Sequence, residues 1–116
     1  MLQNEVERLV LRGVLEIEND SEWGASSFSK PKPESNQLCF LSDFRNINKE
    51  LKWKPYPMPN INDMLLKLEV FQYATSLDLN MGYYHIQLRE NSSKLCTIIN
   101  LWGKYHYKRL PMGVDN

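Results

Sequence analysis

Thr75-Ser76-Leu77-Asp78-Leu79-Asn80-Met81-Gly82-Tyr83-Tyr84-His85-Ile86, with Leu110-Pro111-Met112-Gly113 further on, is the sequence that decides the fold. Residues 73–79 alternate, which predicts a strand: Tyr73, Thr75, Leu77 and Leu79 point one way, and Ala74, Ser76 and Asp78 the other. Asp78 thus shares a face with two small residues. That face leaves room for something large to approach and does not look like core. Taken alone, an Asp at the end of a strand is more often a turn former or a helix cap.

Outward from this stretch, the pattern is mixed. Leu2, Val6, Leu9 and Val10 fall on one face of a helix, and Gly13 is placed to terminate it. Ser26–Ser29 and Leu38–Ser42 read as the two strands of a hairpin with a tip over residues 30–36, where Pro31 and Pro33 exclude a regular ladder. Pro55, Pro57 and Pro59 make an extended connector. Asn60 caps a predicted helix with a buried stripe of Ile61, Met64, Leu65 and Leu68. Leu95–Leu101 and Lys104–Leu110 read as a second hairpin turning at Trp102-Gly103. Helix, hairpin, helix, strand, hairpin is an α+β order, not the alternating units of a parallel sheet.

A chain of 116 residues is one domain at most. Lys and Arg number 14, as do Asp and Glu, so the net charge is zero. That total does not favour nucleic-acid binding, where neutralising phosphates supplies most of the affinity. The charge is uneven, however. Residues 1–22 hold six acids and two bases, residues 28–56 hold six bases against three acids, and Lys104, Lys108 and Arg109 cluster without an acid. A local basic face is therefore compatible with the neutral total. Cys39 and Cys96 lack metal-like spacing and read as reduced thiols of an intracellular protein, cytoplasmic or nuclear. No apolar run approaches the ~20 residues of a membrane span, and the acidic start lacks a signal-peptide pattern.

Four blocks together resemble the reverse transcriptase of gypsy-type LTR retrotransposons. They are Gly13-Val14-Leu15-Glu16 with Ser21-Glu22-Trp23-Gly24-Ala25; Leu41-Ser42-Asp43-Phe44-Arg45-Asn46-Ile47-Asn48-Lys49; Lys54-Pro55-Tyr56-Pro57-Met58-Pro59 running into Leu77–Ile86; and Trp102-Gly103-Lys104-Tyr105 with Leu110-Pro111-Met112-Gly113-Val114. They stand in the family's order with family-like spacing over essentially the whole chain. The resemblance implies the fingers (residues 1–52 and 86–116) and first palm segment (residues 53–85) of a right-hand polymerase, ending before the family's Tyr-x-Asp-Asp hairpin.

The resemblance also implies roles. Asp78 would be the first catalytic carboxylate, and the backbone carbonyl of Leu79 a further ligand, for the Mg²⁺ of the complete enzyme. Mg²⁺ takes oxygen ligands in near-octahedral geometry, which suits that use. Tyr83 would pack under the incoming sugar and exclude a 2′-hydroxyl; otherwise it is a half-buried aromatic beside Tyr84. Met112 would line the nucleotide pocket; otherwise it is a core or turn residue. Lys32 would meet the triphosphate, with Lys30 competing for the role and a solvated loop lysine the plain alternative. Arg45 and Asn48 would touch the template strand, although an exposed Arg near a turn is more often only solvated. His85 reads as structural.

One departure is notable: Cys39 stands where the family usually places an Arg that would hold the triphosphate by charge-assisted hydrogen bonds. Asp43, Asp63 and Asp115 are lone acids in the wrong contexts. The expected function is therefore that of a fragment of an RNA-directed DNA polymerase, inactive by itself, with template-primer and deoxynucleotides as family substrates and self-association through an unpaired palm strand. The alternatives are a non-catalytic nucleic-acid-binding module or a degenerate remnant of a retroelement.

Overall fold

A computed structural model describes residues 2–31, 38–68 and 71–115. The first helix, α1 (Leu2–Leu11), buries Val6 and Leu9, two members of the expected stripe. It stops at Gly13, whose φ of 67° is in the left-handed region that favours glycine. The Gly13 N–H donates to the Val10 carbonyl and the Val14 N–H to the Leu9 carbonyl, both at 2.9 Å. This paired closure satisfies carbonyls that the last turn would leave open. It also turns the chain directly into β1 (Leu15–Ile17).

The expected hairpin is β2 (Ala25–Pro31) with β3 (Leu38–Ser42), antiparallel. Its ladder runs further than the prolines suggested, pairing Lys30 with Cys39 and Pro31 with Leu38. Beyond Ser26 only β3 pairs with β2 among the described strands, so Pro31 stands at a sheet edge, where a proline is tolerated. Helix α2 (Arg45–Glu50) follows at once and buries Ile47. The prolines at 55, 57 and 59 lie in an irregular connector, as expected. Asn60 caps α3 (Ile61–Leu66) by accepting from the Asn62 N–H at 2.9 Å.

After a 3₁₀ turn over Gly82–His85 come α4 (Glu90–Leu95), β4 (Thr97–Asn100) and β5 (Gly103–Tyr107). Strands β4 and β5 form the second expected hairpin. The described strands make one five-stranded sheet in the order β1-β5-β4-β2-β3. The β2–β4 contact is parallel and short, pairing Ala25 with Ile98 and Ser26 with Ile99. Gly24 sits just ahead of it, where an added Cβ would lie 2.5 Å from Cγ1 of Ile99. The fold is thus α+β with a mixed sheet.

The core lies between α1, α2 and the sheet. Leu15, Phe44, Ile98 and Tyr107 are among its most buried side chains. Tyr107 is central: its ring meets Phe44 edge-on at 6.0 Å and stacks on Tyr84 at 6.4 Å. Its hydroxyl lies 3.1 Å from Ser42 Oγ.

Two expectations fail. Residues 73–79 do not form a strand; they run irregularly, with Tyr73 91% and Leu77 88% exposed. A strand needs a neighbour for its N–H and C=O groups, and no described strand lies beside this one. The stripe of α3 is also exposed at Ile61, Met64, Leu65 and Leu68, because no described element packs over it. Elements absent from the sequence reading are β1, α2, α4 and the 3₁₀ turn.

Candidate nucleotide cavity and its surroundings

The two stretches quoted at the outset come together by backbone pairing. The Leu88 N–H donates to the Lys108 carbonyl at 3.0 Å, and the Leu110 N–H to the Ile86 carbonyl at 2.9 Å. Gln87 and Arg109 form the bridge between these bonds. The chain leaving the 3₁₀ turn is thereby fixed beside the chain entering Pro111-Met112-Gly113. As a result Tyr83 and Met112 line one small cavity of about 60 Å³. Cys39 and Phe40 of β3, Glu5 of α1, Met81 and Tyr84 complete its wall.

The floor of this cavity is anchored to the core. Tyr84 stacks on Tyr107, and burial raises the Tyr84 phenol above its ordinary pKa, although a hydrogen bond to Tyr107 opposes the shift. Burial likewise pushes the Tyr107 phenol well up. Both rings therefore stay neutral and act as packing surfaces. Met81, which opens the turn, has φ 54° and ψ 47°, a left-handed conformation that L-residues other than Gly, Asn and Asp seldom adopt. The Tyr84 N–H donates to the Met81 carbonyl at 2.9 Å and holds that shape.

Asp78 lies in the exposed irregular segment just before this turn, and Leu79 is 68% exposed. His85 Nε2 lies 3.3 Å from the Asn80 carbonyl, consistent with a structural role. Among the described residues no three His, Cys, Asp or Glu side chains converge on a point that would hold a metal ion. Mg²⁺ usually takes one or two carboxylates together with substrate phosphates and water. A pair of such ions sharing one site needs more carboxylate oxygens than Asp78 supplies, so the donor set of the described residues does not fit a two-metal centre by itself.

Arg45 and Asn48 are both engaged within the protein. The Arg45 guanidinium binds both oxygens of Asp43, with Nε to Oδ1 at 2.8 Å. Hydrogen bonds from the Arg45 side chain, then from its backbone N–H, hold the Asp43 carboxyl down to about 2. Asn48 Nδ2 donates to the Gly113 carbonyl at 2.8 Å, and Asn48 Oδ1 accepts from the Asp115 N–H at 3.1 Å. Lys32 lies outside the described residues. Lys30 stands opposite Cys39 in the β2–β3 ladder.

Part of the expected basic face is also occupied. Lys104 Nζ donates to the Ser21 carbonyl at 2.7 Å, and Lys108 Nζ lies 3.1 Å from a Glu16 oxygen. Glu16 also faces His106 across the β1–β5 pair, at 3.6 Å from Nε2. The sequence reading missed Glu5 as a cavity residue; its carboxylate pairs with Arg8 one turn on. No local signal marks Glu5, because only the packing of α1 against β3 brings it there. A larger cavity of about 500 Å³ lies against α2, lined by Trp23, Ile47, Leu51 and Leu95 among others. None of the predicted site residues lines it.

No family model matches the chain. The chain is similar to the retrovirus-related Pol polyprotein from transposon opus of Drosophila melanogaster, 36% identical over 88 residues, covering 75% of this chain and 9% of that protein. It is similar also to the Pol polyprotein from transposon gypsy of the same organism, 31% identical over 124 residues, covering 99% of this chain and 12% of that protein. Among solved structures, the prototype foamy virus protease-reverse transcriptase superposes with a TM-score of 0.80 at 25% identity, over 97% of this chain and 15% of that one. The chain thus spans about a tenth of the length of these curated relatives.

Proposed function

We propose, from the premise that this chain is a relative of gypsy-type retrotransposon Pol polyproteins and has the fold of a reverse transcriptase, that it supplies the fingers and first palm segment of an RNA-directed DNA polymerase. Residues 1–52 and 86–116 are the fingers in this reading, and residues 53–85 the palm segment that carries Asp78. The observation that carries it is the shared cavity. Tyr83 and Met112, distant in sequence, are held on one wall by the pairing of residues 86–88 with 108–110. The cavity itself is too small to enclose a nucleotide, but Tyr83 and Met112 are half exposed at its rim, where an aromatic face and a flexible thioether suit a sugar and base better than phosphates. Cys39 and Glu5 on the same cavity offer no positive charge to a triphosphate.

Divalent ions held in the complete enzyme would supply positive charge to the reacting phosphate. Asp78 and the Leu79 carbonyl are the proposed contribution of this chain to holding Mg²⁺, completed by carboxylates outside these residues. Template-primer and deoxynucleotides are the proposed substrates. Residues 1–116 alone are proposed to be inactive, since one exposed carboxylate does not make the site. The bases of residues 28–56 and 104–109 also leave a second reading, a non-catalytic nucleic-acid-binding module.

Two measurements test this. Primer extension by the 116-residue chain with Mg²⁺ or Mn²⁺ is expected to be nil; extension that disappears in Asp78→Ala would refute the inactive reading. Titration of a labelled template-primer at two salt concentrations is expected to show weak, salt-sensitive binding, with log K falling by about 0.9 per phosphate contact on duplex per log unit of salt. No binding at low salt would refute both readings.

A further inference from the structure

We infer that Asn48 is a positioning residue: it acts on the nucleotide cavity through the loop after Met112, not by touching the template. This rests on the reading of that cavity as a nucleotide pocket. The geometry is specific. One side-chain amide both donates to the Gly113 carbonyl and accepts from the Asp115 N–H, at 2.8 and 3.1 Å. It bridges two backbone groups two residues apart, on either side of Val114. Gly113 has φ 95°, so the loop turns there through a conformation that only glycine takes readily. A loop that turns on glycine resists bending little, and a clamp from outside must define its path.

Asn48 can serve as that clamp because α2 is fixed at Ile47, which is buried, and through the Asn48 N–H bond to the Phe44 carbonyl. Upstream, the bond from Leu110 to Ile86 fixes the other end of the loop. Met112 lies between the two anchors. Its place on the cavity wall beside Tyr83 and Cys39 therefore depends on Asn48. Both functions of the amide are needed: an aspartate keeps the acceptor but sets a carboxylate against the Gly113 carbonyl.

The two cysteines provide the test. Cys39 lines the cavity and is partly exposed, whereas Cys96 is buried and its thiol is pushed up to about 11. Iodoacetamide should label Cys39 of the 116-residue chain and spare Cys96. In Asn48→Ala the Cys39 rate should rise several-fold and the Met112 methyl resonance should shift, with Cys96 still protected. Asn48→Asp should change both signals in the same sense. Template-primer affinity and its salt slope should match the unaltered chain, with Arg45→Ala as comparison.

Unchanged Cys39 labelling and an unmoved Met112 signal would overturn the inference. So would loss of template affinity with the loop undisturbed, which would return Asn48 to the template. Labelling of Cys96 in both variants would mean that the sheet opens and that the role is not local. If the unaltered chain binds no nucleic acid, the polymerase reading fails, while the thiol and methyl signals still judge whether Asn48 places Met112.

Discussion

Replacing Tyr107 by Phe tests one hydroxyl at the centre of the packing. The side chain is 2% exposed, and the substitution removes only its hydroxyl. The ring keeps its edge-on contact with Phe44 and its stack on Tyr84. What is lost is the bond to Ser42 Oγ at 3.1 Å together with the hydroxyl's hydrogen bond to Tyr84. A hydrogen bond between neutral groups contributes about 1 kcal/mol net, because water competes for both partners. Ser42 is only half-buried, so its hydroxyl can turn to solvent, and no large desolvation penalty follows. Tyr107→Phe should therefore cost about 1 kcal/mol, roughly 4 °C in melting temperature for a domain of this size.

Tyr107→Ala removes the ring as well. It should cost about 3–5 kcal/mol, a large share of the 5–15 kcal/mol typical of a domain. Urea unfolding followed by the fluorescence of Trp23, whose indole N–H reaches the Leu95 carbonyl, measures both variants. A double-mutant cycle with Ser42→Ala should return a coupling near 1 kcal/mol. Coupling near zero, with Tyr107→Phe still destabilising, would refute the Ser42 account and assign the loss to the hydroxyl's bond with Tyr84.

Three further outcomes are expected. The amides of residues 73–79 donate to no backbone carbonyl in the described structure, whereas β4 and β5 pair along their length; hydrogen-exchange mass spectrometry should find 73–79 fast and 97–107 slow, and the exposed Tyr73, Leu77 and Leu79 should promote concentration-dependent self-association. Met81→Asn should stabilise by about 0.5–1 kcal/mol in thermal unfolding, because Asn tolerates the left-handed conformation that Met81 is held in. The Asp43 carboxyl is depressed from 3.8 to about 2, so its contribution is present above pH 3.8 and is lost as pH falls through about 2; Asp43→Asn should remove that part of the acid limb in a pH series of unfolding curves.

Much of the fold was legible where it is local. The Gly13 stop of α1 and the Asn60 cap depend on residues close in sequence and appear as expected, while the β4–β5 turn falls one residue earlier than expected, at Leu101-Trp102, with Gly103 already paired to Asn100. Short elements were not legible. Helices α2 and α4 have six residues each, too few for a periodic pattern, and β1 has three. Residues 73–79 show the opposite failure: the alternation is clear, but without a neighbour it forms no ladder. The pairing of Tyr83 with Met112 on one cavity was foreshadowed only by the family resemblance. That Asn48 clamps the 113–115 loop, or that Glu5 reaches the cavity, depends on contacts between distant segments that no local pattern encodes.

The short parallel contact between β2 and β4 bears on how the chain reaches its fold. Each hairpin pairs strands close in sequence and can form early. Joining them requires Ala25-Ser26 to find Ile98-Ile99 across the whole intervening chain. That docking is of high contact order and should be the slow step. The closure entropy it must overcome rises only logarithmically, by about 0.6 kcal/mol for each doubling of the excursion. Insertions or deletions in the irregular stretch near residues 52–60 should thus alter the folding rate slightly and leave the strand register untouched. Substitutions at Gly24 or Ala25 should slow assembly far more than their small size suggests.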